Sequence, residues 1–426
     1  MYLLEFAGED DAFAACEAAS AAVGVEPIAP GLATAGAVDA DRVRGLAYTR
    51  RASRLLGRSD ADLESARTCL EAARLDPDRA ETVAVRATDV RGSTGISTSE
   101  AERVLGQVLV DRGFSVDLDD PDHTLRAAFS AGRVGGSRDA GSAVGGTERD
   151  GEAVLDEPVA DPVATDASAG GDELPATDAT ADATDATADA ADDLPATDPS
   201  AANDASADEP TSVCALGWLV AESVRDFAGR KPTEKPFFQP GSMDPQLARA
   251  VANVAGARPG ATVLDPMCGT GGVLVEAGLV GADVVGTDAQ SKMVRGACEN
   301  LAHYLDADSD GPDTPAGGGE QATTEPALGT WHLARADATR LPLADDAVDA
   351  VVFDAPYGRQ SKIATHRLED LVAGALTEAR RVAPRAVVVA DRPWIDPARA
   401  AGWTIEAAFE RRVHRSLTRY VLVLEG

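Results

Sequence analysis

Two short segments of the chain each combine an apolar run, an aspartate and a turn, a combination that places an acid at the tip of a buried strand. The first is VLDPMCGTGG at residues 263–272, and the second is VVFDAPYGR at residues 351–359. In the first segment, glycines allow a tight turn and a close backbone approach to a ligand, because glycine has no Cβ atom. A helix is predicted to begin at Val273. Together the segments predict a binding loop beside a reaction centre.

The glycine-rich loop has several interpretations. Gly269, Thr270 and Gly271 follow Asp265, and such turns bind different nucleotides or, more often, no ligand at all. A second acid, Asp288, follows another apolar run 23 residues after Asp265. In doubly wound sheets an acid at this place accepts hydrogen bonds from both hydroxyls of a ribose. Nicotinamide cofactors and S-adenosylmethionine both remain open at this point.

The run Asp354-Ala-Pro-Tyr357 distinguishes between these cofactors. The Asp354 carboxylate and the Pro356 carbonyl can accept the two N–H bonds of a planar amine, while the Tyr357 ring stacks on the base that carries it. A hydride-transfer enzyme has no use for such a group. These three residues are therefore the predicted catalytic group, and methyl transfer from S-adenosylmethionine to the amine of a nucleobase is the predicted reaction.

With these motifs the C-terminal half resembles the Rossmann-like, S-adenosylmethionine-dependent amino-methyltransferases, whose fourth motif is Asp/Asn-Pro-Pro-Tyr/Phe. Ala355 departs from that motif. The whole chain resembles the archaeal tRNA (guanine(10)-N2)-dimethyltransferases, which carry a THUMP RNA-binding domain ahead of the catalytic domain. The resemblance implies an α/β fold: a mostly parallel seven-stranded sheet with a terminal antiparallel hairpin, preceded by an α+β THUMP-containing domain.

The resemblance also adds residues to the predicted cofactor site. Asp337, with Ala338 after it, stands where the family's third acid receives the adenine amino group. Phe238, Pro240 and Gly241 stand in a loop that folds over the cofactor in that family. From the residues alone, an isolated aspartate after a strand, such as Asp337, is more often a turn or cap residue, and the loop is equally explained as a proline-rich hinge.

The composition is strongly acidic. The net charge is -32, and lysine occurs only at Lys231, Lys235, Lys292 and Lys362. A hydrated carboxylate surface preserves solubility in molar salt, so a halophilic source is expected, with an acidic mesophile protein as the alternative. No apolar run approaches the ~20 residues of a membrane span. The five cysteines are widely spaced without a Cys-x-x-Cys pair, so no metal site and a cytoplasmic location are expected.

One region is basic. Residues 41–58 contain six arginines and one acid, which gives +5 within a chain of -32. Arg50, Arg54 and Arg58 would line one face if the region were helical. Two interpretations stay open: these arginines, with Arg51, contact an RNA backbone, or they pair with acids elsewhere.

The chain is predicted to divide into a THUMP-containing RNA-binding domain at 1–140, an acidic linker at 141–210 and a methyltransferase domain at 211–426. Residues 151–210 hold 17 acids and no Lys or Arg, a composition typical of disorder. A second loop, 306–329, is also predicted to be mobile. The predicted strands are 2–7, 82–86, 114–118, 124–129, 262–264, 331–335, 349–353, 386–390, 403–409 and 413–424. The predicted helices are 10–23, 100–112, 212–227 and 245–255.

The expected function is therefore transfer of methyl groups to the exocyclic N2 of a guanine in tRNA, most simply guanine 10, with tRNA as partner. The need for a small activator subunit stays open at this point; otherwise the protein is expected to be a monomer. The alternatives are a guanine in ribosomal RNA or another tRNA position, an adenine N6, and a non-catalytic RNA-binding subunit. A nicotinamide oxidoreductase is the most distant of these.

Overall fold

Two large β-sheets, each flanked by helices, make up the described part of the chain. The structure is a computed structural model that describes residues 1–75, 81–134, 210–306, 327–356, 368–414 and 417–426. The strands are β1 (Tyr2–Phe6), β2 (Ala22–Val23), β3 (Glu26–Ala29), β4 (Leu32–Ala35), β5 (Ala37–Val38), β6 (Thr49–Ser59), β7 (Thr82–Asp89), β8 (Ser115–Val116), β9 (His123–Gly132), β10 (Thr211–Glu222), β11 (Thr262–Asp265), β12 (Asp283–Asp288), β13 (Trp331–Arg335), β14 (Ala350–Asp354), β15 (Arg385–Ala390), β16 (Thr404–His414) and β17 (Leu417–Glu425).

Helices cover both sheets. They are α1 (Asp11–Ala18), α2 (Ala40–Arg44), α3 (Leu63–Ala72), α4 (Thr98–Asp111), α5 (Pro245–Ala255), α6 (Gly272–Leu279), α7 (Ser291–Leu305), α8 (Leu368–Val382) and α9 (Ile395–Ala400). Local sequence explains several of their ends. Ser97 caps α4 by accepting from the Glu100 N–H, and α5 begins at Pro245 after the cap Asp244 and ends at the left-handed Gly256, as helix-end chemistry predicts. None of the described helices is both long and apolar enough to span a bilayer.

The first sheet has the strand order β3-β4-β1-β6-β10-β9-β7-β8. The helices α3 and α4 pack on one of its faces, where Leu70 and Leu105 meet Phe129 and Leu216 in one buried cluster. The strands predicted at 2–7, 82–86 and 124–129 and the helix predicted at 100–112 are confirmed. The helix predicted at 10–23 is shorter, since α1 ends at Ala18 and β2 follows.

The helix predicted at 212–227 is wrong, because this stretch contains β10. Strand β10 lies in the middle of the first sheet, between β6 and β9, and its residues from Cys214 to Trp218 are buried. A strand covered on both faces carries a continuous apolar run instead of alternation, and such a run also fits a helix. Val220 and Val224, which the helix would have buried, are exposed.

The acidic segment, residues 135–209, is flanked by paired strands of the first sheet. Gly132 of β9 and Thr211 of β10 are direct partners in antiparallel pairing, and the Thr211 hydroxyl donates to the Gly132 carbonyl at 3.0 Å. Residues 135–209 therefore join two neighbouring strands of one sheet. The predicted disorder of the acidic segment, and most of the loop predicted at 306–329, lie outside the described residues. The division at 140 and 210 stays a prediction, although Thr211–Glu222 belongs to the first sheet.

The second sheet has the order β13-β12-β11-β14-β15-β17-β16, with β17 antiparallel to both of its neighbours and the other pairs parallel. This confirms the predicted α/β class, the seven-stranded sheet and its terminal hairpin; the last strand begins at Leu417, later than predicted. Helices α5, α6 and α7 contribute to the buried cluster on one side, and α8 and α9 to the cluster on the other.

The two sheets share a core. Phe13 of α1 packs edge-on against Phe409 of β16 with ring centroids 5.2 Å apart. The fully buried Glu17 of α1 accepts from the amide of Asn253 on α5 at 2.8 Å and from two backbone N–H groups. The helix α1 of the N-terminal part is thus fixed directly to the helices that support the second sheet.

Candidate functional site

Three aspartates lie at the carboxyl ends of adjacent parallel strands. Asp265 ends β11, Asp288 ends β12 and Asp354 ends β14, and β11 pairs with both of the other strands. The carboxyl end of a parallel sheet, at the point where strand order reverses, is where doubly wound folds bind ligands. The structure therefore brings together the three acids that the sequence singled out.

Asp265 is a buried carboxyl group, 3% exposed. One of its oxygens accepts from the Met267 N–H at 3.0 Å. Burial raises the pKa of Asp265 well above its usual range, and the neighbouring charges of Asp288 and Asp354 raise it further. Repulsion among these three groups means that a cation placed between them would be strongly favoured.

Asp288 holds the glycine-rich loop in place. Its two oxygens accept from the N–H of Gly269 at 3.1 Å and from that of Gln290 at 2.8 Å. Burial raises the pKa of this carboxyl group as well. Each carboxylate oxygen has a second acceptor position, so Asp288 keeps the capacity to bind a hydroxyl pair.

The loop needs glycine at Gly271 for two reasons. The residue has φ of +74°, and a Cβ atom there would lie 2.7 Å from Leu301 of α7. A side chain would therefore strain the backbone and push the loop away from the helix. Thr270, the residue before, is almost buried, and its carbonyl accepts from the Asn300 amide at 2.8 Å.

Asn300 joins the glycine-rich loop to a second loop, residues 236–243. Its amide group also donates to the Phe237 carbonyl at 2.9 Å, and its oxygen accepts from the Phe237 N–H at 2.8 Å. The hydroxyls of Ser242 and Thr270 lie 3.3 Å apart. Asn300 is not among the residues predicted from the sequence, although an amide between Ala297 and Leu301 on the apolar face of α7 is a signal for a structural hydrogen bond.

The second loop also reaches Asp354, through Arg419 of β17. The guanidinium of Arg419 lies 3.4 Å from the Gly241 carbonyl and 4.0 Å from the Asp354 carboxylate. Arg419 is 4% exposed, and it is not among the site residues predicted from the sequence. Phe238 and Pro240 are exposed on this loop, so they border the same edge of the sheet, and their contact with a cofactor stays a prediction.

Asp337 has the features of a turn residue. It is exposed, and one of its oxygens accepts from the N–H and the hydroxyl of Thr339 at 2.9 and 2.8 Å. Ala338 is buried in the core against the second sheet. Both residues follow β13, at the correct end of the sheet, and their contact with a cofactor stays a prediction.

The structure explains how the motif tolerates alanine at its second position. The Ala355 N–H donates to the Val389 carbonyl of β15 at 2.7 Å, a bond that a proline could not make. This bond extends the pairing of β14 and β15 past Asp354. The turn is therefore held without the proline ring that the family motif has at position 355. Pro356 is half-buried. Tyr357 lies outside the described residues, and its role stays a prediction.

The basic region forms α2 and β6, so Arg50, Arg54 and Arg58 lie on a strand, and the helix face expected only if the region were helical does not form. All three are exposed on β6. Arg51 instead pairs with Glu222 at 2.6 Å and lies 3.7 Å from Glu5. Pairing with acids, the less specific interpretation, is therefore correct for Arg51, and RNA binding by the other three stays a prediction.

No three His, Cys, Asp or Glu side chains are grouped as metal ligands anywhere in the described ranges. The prediction that the protein needs no metal is not tested by this observation. The candidate site accordingly consists of the three aspartates, the glycine-rich loop and the loop at 236–243.

Comparison with known proteins supports a methyltransferase domain at this site. Residues 232–421 match the family model described as UPF0020: RMKL-like, methyltransferase domain. The chain is 36% identical over 211 residues to the tRNA (guanine(10)-N2)-dimethyltransferase of Methanothermobacter thermautotrophicus, a match covering 49% of this chain and 56% of that protein. It is 31% identical over 223 residues to the enzyme of the same name from Pyrococcus abyssi, covering 50% and 60%.

The matched region is less than two thirds of the length of either archaeal relative. A mouse protein, U6 snRNA (guanine-N(2))-methyltransferase THUMPD2, is 30% identical over 131 residues, or 30% of this chain and 21% of that protein. Among solved structures, TrmN from Thermus thermophilus aligns at 19% identity with a TM-score of 0.43, covering 100% of this chain and 99% of that one. The C-terminal half of the chain is thus similar in sequence to methyltransferase domains, and these three curated relatives are named as guanine-N2 methyltransferases.

Proposed function

We propose that this protein is an S-adenosylmethionine-dependent methyltransferase that acts on the exocyclic N2 of a guanine in tRNA. Guanine 10 is the proposed target, with one methyl group and then a second transferred. The observation that carries the proposal is the convergence of Asp265 and Asp354 at the ends of the paired parallel strands β11 and β14, where the charge of Asp354 raises the pKa of Asp265. The names of the archaeal relatives support the substrate.

The cofactor fits the charge of this site. S-adenosylmethionine, when bound, supplies an electrophilic methyl group and brings a positive sulfonium and a positive ammonium. Asp265 is buried without a cation of its own among the described residues, so a positively charged ligand relieves its repulsion with Asp288 and Asp354. The proposed cofactor contacts are Asp265, Gly269, Thr270, Gly271 and Asp288, with Phe238, Pro240, Asp337 and Ala338 around them.

Asp354 and Pro356 would prepare the attacking amine. The lone pair of the guanine amino group is delocalised into the ring, which makes the nitrogen a poor nucleophile. Hydrogen bonds from its N–H groups to the Asp354 carboxylate and the Pro356 carbonyl favour a pyramidal nitrogen and stabilise the charge that grows as the methyl group arrives. Tyr357 would stack on the base and hold it in line. Arg419, 4.0 Å from Asp354, positions the carboxylate.

The RNA must bring its target base out of the stack, which costs a few kcal/mol. We assign RNA binding, which would offset this cost, to the N-terminal part as a THUMP-containing unit. Arg50, Arg54 and Arg58 are the proposed contacts to the RNA backbone. The direct attachment of the N-terminal part to α5 through Glu17 and Asn253 supports the proposal, because a fixed unit can place the RNA at a set distance from the site.

A second candidate is the same reaction on a guanine of another RNA. The similarity to THUMPD2 favours it, because that protein is named for U6 snRNA. The catalytic group is the same in both cases, so only the RNA-docking surface distinguishes them.

We also infer a cytoplasmic protein from a halophile, acting as a monomer or with a small activator subunit. The net charge of -32 supports the halophilic source. At ~1 M salt the Debye length is ~3 Å, so RNA binding would depend on shape, stacking and short hydrogen bonds.

Mass spectrometry of tRNA nucleosides tests the proposal. A strain that lacks the gene should lose N2-methylguanosine and N2,N2-dimethylguanosine, and the intact gene should restore both. Asp354→Asn should fold but lower the methylation rate by about 10³-fold, the range of general acid–base and charge-stabilising groups. Glu410→Gln, which alters an exposed acid on β16, is the matched control. Full restoration by Asp354→Asn would contradict the proposed role of that carboxylate.

A further inference from the structure

Arg225 is an exposed arginine that is held in place without an acidic partner. It follows the end of β10. Its guanidinium group donates to the Ala47 carbonyl at 2.9 Å and lies 5.6 Å from the centroid of the Phe227 ring. Among the described residues it forms no ion pair, and most of its N–H groups remain available. The guanidinium group is therefore fixed and still able to bind an anion.

Arg50 of β6 adds a second positive charge at this place. The Ser223 N–H donates to the Arg50 carbonyl at 2.9 Å, which continues the pairing of β10 with β6 beyond Glu222 and Arg51. Partial burial of the guanidinium group lowers the pKa of Arg225, and the charge of Arg50 lowers it further. Arg50 is exposed, and within the described ranges its side chain makes no hydrogen bond or ion pair. The two like charges therefore repel each other.

The acids next to this pair in the sequence bind other arginines. Glu222 accepts from Arg51 at 2.6 Å, and Asp226 accepts from Arg230 at 2.6 and 2.8 Å. The chain has a net charge of -32, so carboxylates are abundant. Two arginines that no described carboxylate contacts therefore indicate an anion from outside the chain.

Glu17 is the acid whose charge acts on Arg225, and it raises the pKa of that residue. Glu17 is fully buried, and its oxygens accept from the N–H groups of Ala47 and Tyr48 and from the Asn253 amide. Burial raises the pKa of this carboxyl group. One buried carboxylate that does not contact the guanidinium group offsets only part of two positive charges.

The pair lies where the first sheet meets α5. The Ala47 carbonyl that binds Arg225 also accepts from the Gln246 amide of α5 at 3.1 Å. Helix α5 begins just after the loop at 236–243, which borders the candidate site. A ligand bound to Arg50 and Arg225 would thus lie between the proposed RNA contacts on β6 and the helix that leads to the site.

We propose that Arg50 and Arg225 together bind one phosphate group of the RNA backbone. This inference rests on the proposed function, which gives Arg50 an RNA contact; Arg225 and the shared phosphate are added to it. Each guanidinium group can donate parallel N–H bonds to phosphate oxygens, and the anion removes the repulsion between the two cations. Continuity with the other exposed arginines of β6 favours RNA over an acidic protein. A phosphate fixed at this junction would set the path of the RNA backbone toward the site.

Filter binding of an unmodified tRNA transcript with guanine at position 10 tests the proposal. Arg225→Met in the full chain should weaken tRNA binding by about tenfold, the factor for one charge-assisted hydrogen bond. The slope of log affinity against log salt concentration should fall by about 0.7 to 0.9, the value for one phosphate contact. Arg399→Met is the matched control, because Arg399 is exposed on α9, on the other side of the second sheet from α5. The control should bind tRNA as the wild type does, and both variants should bind S-adenosylmethionine unchanged.

A double variant distinguishes one shared phosphate from two separate contacts. If Arg50 and Arg225 bind the same phosphate, the loss in Arg50→Met/Arg225→Met should be clearly smaller than the product of the two single losses. Losses that multiply would overturn the shared site.

Three further outcomes are decisive. Wild-type affinity and salt slope in Arg225→Met, the result expected if these arginines bind an acidic protein, would overturn the phosphate site alone. A weaker affinity with an unchanged slope would show that Arg225 only supports Ala47, and would also overturn it. A wild-type protein that does not bind tRNA would overturn the proposed function as well, so the failures are distinguishable. Arg225→Lys, which keeps the charge and should keep the salt slope, provides the comparison if the methionine variant does not fold.

Discussion

Buried carboxylates have different hydrogen-bond donors in the two sheets. In the first sheet, Glu5 is 4% exposed and accepts from the Arg126 guanidinium at 2.9 Å through each of its oxygens. In the second sheet, Asp265 and Asp288 are also buried, but in the described part of the chain their hydrogen bonds come from backbone N–H groups alone.

The paired charge of Glu5 therefore stabilises the fold, whereas the carboxylates of Asp265 and Asp288 stay available to a ligand. The bidentate contact with Arg126 offsets the cost of burying Glu5. Asp265 has no such partner, and its pKa is raised by burial and by its neighbours. The carboxylates without a cation among the described residues thus lie beside the glycine-rich loop, where a positively charged ligand would complete them.

The largest expected effect comes from neutralising one carboxylate in each sheet. Glu5→Gln should lower the free energy of unfolding by roughly 3 kcal/mol, because it leaves the buried Arg126 without its charge partner. Asp265→Asn should leave the free energy of unfolding unchanged or raise it, because it removes a buried charge that has no cation. Denaturant unfolding of both variants at one salt concentration measures the contrast. Equal destabilisation would show that Asp265 is part of the fold's own charge pairing.

A smaller effect is expected at Gly271, which allows the loop to approach α7. Gly271→Ala should cost about 2 kcal/mol from the left-handed backbone and the contact with Leu301. Gly260→Ala is the matched control, because Gly260 has φ of +79° but open space around it; about 1 kcal/mol is expected there. Thermal unfolding of both variants separates backbone strain from crowding. Equal costs would mean that close packing of the loop on α7 is unimportant.

The smallest effect is expected from the acidic segment. Replacing residues 135–209 by a short Gly/Ser turn should change the free energy of unfolding by less than about 1 kcal/mol, because β9 and β10 already meet at Gly132 and Thr211. Circular dichroism during thermal unfolding checks this, with cofactor binding measured on the same sample. Loss of the folded first sheet would show that the acidic segment contributes to the stability of that sheet.

The strand ends of the second sheet could be predicted because their pattern is local. Asp265, Asp288 and Asp354 each follow an apolar run, and parallel strands bring such positions together. Strand β10 could not be predicted in this way, since its partners β6 and β9 are distant in sequence and both of its faces are covered. The roles of Asn300 and Arg419 depend on contacts between separate elements, which no local spacing encodes.

The pH dependence of cofactor binding tests the central claim most directly. A bound cation favours the ionised form of Asp265, so binding lowers its pKa from the raised value of the free protein and releases a proton below that value. The affinity for S-adenosylmethionine should therefore increase as the pH rises through the raised pKa and become constant above it. Calorimetry in two buffers of different ionisation enthalpy should detect the released proton. An affinity that does not change with pH, or proton uptake on binding, would contradict the claim that these buried acids are completed by a cationic cofactor.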